Sequence, residues 1–153
     1  MYSRNEAAQL KKEFWTAFGQ YMAPVQSAEG EKVSWANYKT GEKNIFFRLH
    51  ADFEKASVSI ELTHNDAGLQ QLYYAHFLSL KDVFTETVGG DWKWRLHVAD
   101  DYGKTVSRIF IEVRQVSVYK KEDWPQLISF FKTKIIALDE FWSNVKYGFE
   151  LLH

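Results

Sequence analysis

Nine apolar residues toward the end of this chain constrain its fold more than any other feature. Trp124, Ile128, Phe131, Ile135, Leu138, Trp142, Val145, Phe149 and Leu152 recur at alternating steps of four and three. An α-helix brings such positions to one side, so the spacing predicts a packed helical stripe. Asp123 suits its N-cap, and Pro125 is tolerated in a first turn. Unbroken, the helix is about 42 Å long at 1.5 Å per residue. A compact chain of this length has a diameter of roughly 38 Å. The helix must therefore cross the whole domain, bend or project. Its stripe either fills the chain's own core or packs in part against a second copy, which makes a homo-oligomer through the C-terminal helix one expected partner arrangement.

The rest of the chain alternates between two periods. Ser3 and Glu6 fit a capping box ahead of Leu10, Phe14, Phe18 and Met22, a helix that should stop before Pro24. Residues 25–32 read as a loop. Three strands are then expected, at 33–38, 44–51 and 56–63. In the second, Ile45, Phe47, Leu49 and Ala51 alternate with Phe46, Arg48 and His50; in the third, Val58, Ile60 and Leu62 alternate with Ser57, Ser59 and Glu61. Such alternation gives one buried and one polar face. Asp66 caps a second helix with the stripe Leu69, Tyr73, Phe77, Leu80, Phe84 and Val88, ended by Gly89-Gly90. Two more strands, 92–99 and 105–113, flank the turn-forming Asp100-Asp101-Tyr102-Gly103-Lys104. After Arg114 the apolar phase shifts to Val116 and Val118, which predicts a bulge or a short sixth strand. The expected fold is a single α+β domain over residues 1–153. Its largely antiparallel sheet has five or six strands with helices packed on one face, in the order α-β-β-β-α-β-β-(β)-α.

Composition limits the chemistry. With 153 residues, the chain suits one domain. Its 12 Phe, 8 Tyr and 6 Trp exceed what a core of this size needs, so some rings should sit at a surface or interface. The net charge of −1 does not favour nucleic acid as a partner, although a local basic face would fit within a neutral total. The absence of cysteine removes disulfides, thiol nucleophiles and Cys-containing zinc sites. No signal-like or membrane-spanning apolar run occurs, which predicts a cytoplasmic protein with no membrane contact.

The stretch Ser34-Trp35-Ala36-Asn37-Tyr38-Lys39-Thr40-Gly41-Glu42-Lys43 carries two aromatics, three charged residues and a turn glycine. Two expected strands flank it, so it reads as a hairpin whose turn uses Gly41. Its Lys-Thr-Gly lacks the companion motifs of a β-lactamase, and no phosphate-binding glycine loop is present. The spacing of Trp15-x-x-Phe18-Gly19, Pro24 and Trp35-x-Asn37-Tyr38-Lys39-Thr40-Gly41 resembles domain of unknown function family 4268. Trp92-x-Trp94, Ser107-Arg108-Ile109, Asp123-Trp124-Pro125 and Leu138-Asp139-Glu140-Phe141-Trp142 continue the resemblance across residues 10–150. It implies a bacterial or archaeal module. In some members that module lies beside a nuclease domain of the restriction-endonuclease type. It carries over no catalytic residue.

A nuclease site of that type needs clustered carboxylates for magnesium and a lysine near the attacking water. Asp52 followed by Glu61-Leu62-Thr63 lacks the lysine, and Glu112-Val113-Arg114 supplies an arginine that stays charged. The five histidines, at 50, 64, 76, 97 and 153, form no H-E-x-x-H pair. His76, on the second expected helix, reads as a boundary residue between core and solvent. No motif calls for a cofactor, and none singles out a catalytic residue or a metal ligand.

The strand phase predicts one constellation. Arg48, His50, Glu61, Arg95, His97, Arg108 and Glu112 share the polar sheet face, with Trp35, Tyr38, Phe46 and Phe110 near it. Arginines and rings on a sheet face can stack bases and hold phosphates, bind an acidic peptide or form a dimer contact. Plain cross-strand Arg–Glu pairing on a wet face accounts for them equally well. The expected function is a non-enzymatic binding or accessory module, related to nucleic acid or oligomeric. The second reading is a metal-dependent enzyme acting on nucleic acid or nucleotides through sheet carboxylates and histidines such as His50, Glu61 and His97.

Overall fold

The computed structural model describes residues 3–153. Four helices and four strands build an α+β fold: α1 (Arg4–Met22), β1 (Ile45–Ala51), β2 (Lys55–Leu62), α2 (Ala67–Ser79), α3 (Lys81–Val88), β3 (Lys93–Ala99), β4 (Thr105–Arg114) and α4 (Trp124–Phe149). The sheet order is β1-β2-β4-β3, and every pairing is antiparallel. Asp52 closes the β1–β2 turn by accepting from the Glu54 and Lys55 amides, at 2.9 Å each. Asp100 closes the β3–β4 turn through the Tyr102 and Lys104 amides in the same way. A carboxylate that takes two turn amides needs no help from the sheet to set the turn.

α4 runs as one helix of 26 residues, about 39 Å long at 1.5 Å per residue. Leu127 near its start and Phe149 at its end are both fully buried, so it crosses the core rather than projecting from it. Phe131, Ile135, Leu138, Phe141 and Trp142 lie between them in the same core. Each such side chain stabilises the fold by about 1.5–3 kcal/mol through apolar burial. The partners across the layer are Phe14 and Phe18 of α1, Phe77 and Phe84, and the inward row Phe47, Val58, Ile60 and Ile109 of the sheet. Asp123 does not cap α4 with its side chain; its carboxylate instead accepts from the Ser117 amide at 2.9 Å.

The sheet has four strands, not the five or six expected. Residues 33–38 form no strand. Trp35 turns inward and its indole N–H donates to the Val25 carbonyl at 2.9 Å. Tyr38 stacks on Phe47 at 5.2 Å, and the Thr40 hydroxyl donates to the Ile45 carbonyl at 2.8 Å. Side chains dock this segment where the expected strand would have used its backbone. The sixth strand is also absent. Gln115 adopts φ 62 and its amide donates to the Glu54 carbonyl, so the chain leaves the sheet at Gln115 before burying Val116 and Val118.

The single helix expected over 67–88 is two. The Ser79 hydroxyl donates to the His76 carbonyl at 2.6 Å, and Leu80 leaves helical geometry at φ −102, ψ 11. A serine bonded back to its own turn competes with the helical ladder. Within α2 the buried face is Gln70, Tyr73, Tyr74 and Phe77, so Gln70 rather than Leu69 faces inward, where its amide bridges the His64 and Thr105 carbonyls and accepts from Ser107. Among the described residues no helix is long and apolar enough to cross a membrane.

Candidate functional site

Strand alternation leaves the side of the sheet away from the helices polar. Register sorts that side into rows. Phe46, Glu61, Arg108 and Arg95 stand opposite one another across the four strands. Arg48, Ser59, Phe110 and Lys93 form the next row, and His50, Ser57 and Glu112 the third. The buried serines Ser57 and Ser59 keep the middle of the floor low. A groove of about 940 Å³ covers this floor and extends from the Asp52–Lys55 turn to the Ala99–Lys104 turn.

Glu61 is the hinge of the floor. Its carboxylate takes the Arg48 Nε–H at 3.1 Å and lies 3.7 Å from Arg108 Nε. The Arg48 guanidinium rests 4.4 Å above the Phe46 ring, and that of Arg108 4.6 Å above Phe110. Each cation is thus held by a carboxylate at its Nε edge and by a ring under its plane. Arg108 Nε is buried and has no hydrogen-bond acceptor among the described residues. The terminal amino groups of both arginines hydrogen-bond to no described protein atom. They are the free donors of the groove.

Of the other carboxylates in the groove, Glu112, Asp52 and Asp100 are engaged. Glu112 faces Lys55 at 3.2 Å and Arg114 at 3.6 Å. Asp52 lies 3.3 Å from His50 and holds the turn amides. Burial acts to raise the Asp52 carboxyl pKa, but the Glu54 and Lys55 amides and His50 outweigh it and hold the group below its ordinary value. Four basic and six acidic side chains line the groove. Among the described residues no three His, Asp or Glu side chains are grouped to hold a metal ion.

Five of the nine expected site residues meet here: Arg48, His50, Glu61, Arg108 and Glu112. Arg95 is opposite Arg108 in register, but its guanidinium folds onto the Trp94 carbonyl at 3.0 Å and stays outside the groove. His97 sits in a β-bulge at φ 50, its amide on Ser107 Oγ and its ring nitrogen 3.0 Å from the Ala67 carbonyl at the start of α2. The bulge inserts one residue and turns His97 away from Arg95. It does not converge with His50 and Glu61.

Trp35 and Tyr38 belong to the opposite side of the sheet. Trp35 is in the core, and Tyr38 reaches α4, where its hydroxyl meets Asp139 at 2.5 Å. Burial first, and the Asp139 carboxylate second, push the Tyr38 hydroxyl far above its ordinary pKa. Asp139 also accepts from the Ala28 amide at 2.7 Å and is almost fully buried. A cavity of about 90 Å³ lies beside this pair, bounded by Ser143 and Lys146. His76 sits half-buried against Phe149, at the boundary expected of it.

Sequence reasoning missed the two turns as walls of the groove. Asp100-Asp101-Tyr102-Gly103-Lys104 was legible as a turn, but its approach to the polar face depends on sheet curvature. Asp139 had a signal, since it is an acid set between Ile135, Leu138 and Trp142 of the apolar stripe. No curated protein and no solved structure matches the chain. Residues 10–146 match the family model described as Domain of unknown function (DUF4268), and the chain belongs to that family.

Proposed function

We propose that the chain is a non-enzymatic binding module whose ligand lies in the groove on the polar face of the sheet. The observation that carries this reading is the pair Arg48 and Arg108. Both guanidiniums lie over rings, both pair with Glu61 through Nε, and both residues line the groove. Fixed donors lose little freedom when a ligand arrives, which is the condition for useful affinity from few contacts. The carboxylates support binding over turnover, because cations or turn amides already hold Glu61, Glu112 and Asp52. Six acids against four bases oppose a ligand with a charge on every unit, such as a nucleic-acid strand.

The test is fluorescence anisotropy with labelled short DNA, RNA and extended peptides of varied charge, at low and physiological salt. Saturable binding that is lost in Arg48→Glu and kept in Lys132→Glu, on the far side of the molecule, is the expected result. Binding that ignores Arg48→Glu would place the ligand elsewhere and sink the reading.

A further inference from the structure

Charge is not spread evenly along the groove. At its centre Arg48 and Arg108 share one acid, Glu61. Toward the β1–β2 turn the lining is acidic, with Asp52, Glu54 and Glu112 against Lys55. Toward the β3–β4 turn it is acidic again, with Asp100 and Asp101 against Lys104. The pattern is negative, positive, negative. From it we infer that the groove takes an extended peptide in which one acidic residue is flanked on both sides by basic residues. This inference rests on the binding reading above and names the ligand class for the same site.

The spacing follows from the strands below. On β4, Glu112 is four residues beyond Arg108, and Lys104, four residues before it, stands level with Asp100, whose amide donates to the Lys104 carbonyl at 2.8 Å. Four residues of extended chain span about 13 Å. A peptide lying along the strands has the same rise, so its basic residues fall four positions either side of the acid. Residues four apart in an extended chain point the same way, so all three reach the floor together. The central carboxylate would take the free amino groups of Arg48 and Arg108, and charge-assisted bonds of that kind are the strong ones. Glu61 holds the Nε side of both, so ligand and protein use different edges of each guanidinium. The peptide's basic residues would meet the exposed Glu54 and Asp101, and beside them Asp52, Asp100 and Glu112, whose present partners are turn amides, His50, Lys55 and Arg114. Phe53 and Tyr102, exposed at the two turns, offer apolar contact beyond the charges. A strand of nucleic acid would bring phosphates against both acidic ends. A wholly acidic peptide meets the same repulsion.

The experiment titrates the full chain with three labelled eleven-residue peptides. One has the pattern Lys-x-x-x-Glu-x-x-x-Lys, one the inverse with acids outside and Lys at the centre, and one has all three positions Gln. A labelled oligothymidylate is the fourth probe. The Lys-Glu-Lys peptide is expected to bind at least about tenfold tighter than its inverse, a margin that shrinks as salt screens the ends. The double variant Asp100→Asn with Asp101→Asn, on an exposed turn, should reduce that margin without unfolding the protein. Arg48→Gln should weaken the Lys-Glu-Lys peptide more than the all-Gln peptide. Tighter binding of the inverse peptide or the oligonucleotide would overturn the inference. Equal binding of all three peptides, abolished by Arg48→Glu, would overturn the charge pattern and leave the binding module standing. No binding by any probe would overturn both.

Discussion

The Tyr38 hydroxyl donates to Asp139 Oδ1 at 2.5 Å across 101 residues of sequence. The bond joins a segment without regular structure to the middle of α4. The Asp139 carboxylate also accepts from the Ala28 amide, so it ties two points of the long connection between α1 and β1. Trp142 adds a third tie through its indole N–H to the Thr40 carbonyl at 2.8 Å. Tyr38→Phe leaves a buried carboxylate short of one donor. The expected loss is about 1–3 kcal/mol of unfolding free energy in urea, since a stranded buried acceptor keeps its desolvation cost. Ligand binding in the groove should not change, because Tyr38 lies on the other side of the sheet. The same pair predicts an alkaline limit. The folded state raises the Tyr38 pKa above its unfolded value, so this stabilisation is complete below about pH 10 and declines as pH rises further. Tyr38→Phe should remove that part of the alkaline slope.

His64 predicts an acid limit. Its ring stacks on Tyr73 at 4.2 Å, and its Nδ1 is buried with no partner among the described residues. Desolvation lowers its pKa, although Glu42 pulls the other way. A depressed histidine stabilises the fold above its unfolded pKa of about 6.5 and loses that contribution as pH falls. Unfolding free energy measured from pH 7.5 down to 5 should therefore decline. His64→Phe, which keeps the stack and cannot be protonated, should flatten the decline over that window. An unchanged slope would assign it to other groups.

Gly90 sits at φ 88, and a Cβ built there would lie 2.8 Å from Ile111 Cδ1 and 3.2 Å from Lys134 Nζ. The left-handed backbone and the contact act in the same direction. Gly90→Ala is expected to cost about 1–3 kcal/mol. A second variant, Gly90→Ala with Ile111→Val, removes the methyl that is struck and should recover part of that loss. A chemical-denaturation series on the two proteins measures it. No recovery would place the whole cost in the backbone.

The strands that line the groove were legible, and the segments that close it were not. Period-two alternation placed Arg48, His50, Glu61, Arg108 and Glu112 on one face, because a strand has only two sides. The same rule misplaced Trp35 and Tyr38. Apolar spacing at 33–38 reports that side chains are buried, but not whether the backbone pairs with a strand or the side chains dock alone. His97 escaped because a single inserted residue reverses every position beyond it, and its composition gives no sign of the bulge. The inward face of α2 was hidden for a related reason. Leu69, Tyr73 and Phe77 fit a helical stripe, yet Gln70 is the buried residue, since carbonyls of His64 and Thr105 await it. Hydrogen-bond demand of that kind arises only once distant segments meet.

The last prediction concerns Glu61. If it competed with the ligand for the two arginines, removing its charge would raise affinity. The geometry assigns it the opposite part. Its oxygens face the Nε positions of Arg48 and Arg108, while no described protein atom takes a hydrogen bond from their terminal amino groups. Glu61→Gln keeps the volume and removes the charge that sets both guanidiniums on their rings. Affinity for the Lys-x-x-x-Glu-x-x-x-Lys peptide should fall about three- to tenfold, because the donors must then be ordered at the moment of binding. Stability should change by less than about 1 kcal/mol, since the Arg48 side chain is half exposed and such pairs are screened by water. Anisotropy and urea unfolding on the one variant separate the two effects. A rise in affinity at unchanged stability would make Glu61 a competitor, and the free amino edges would lose their role as the ligand's donors.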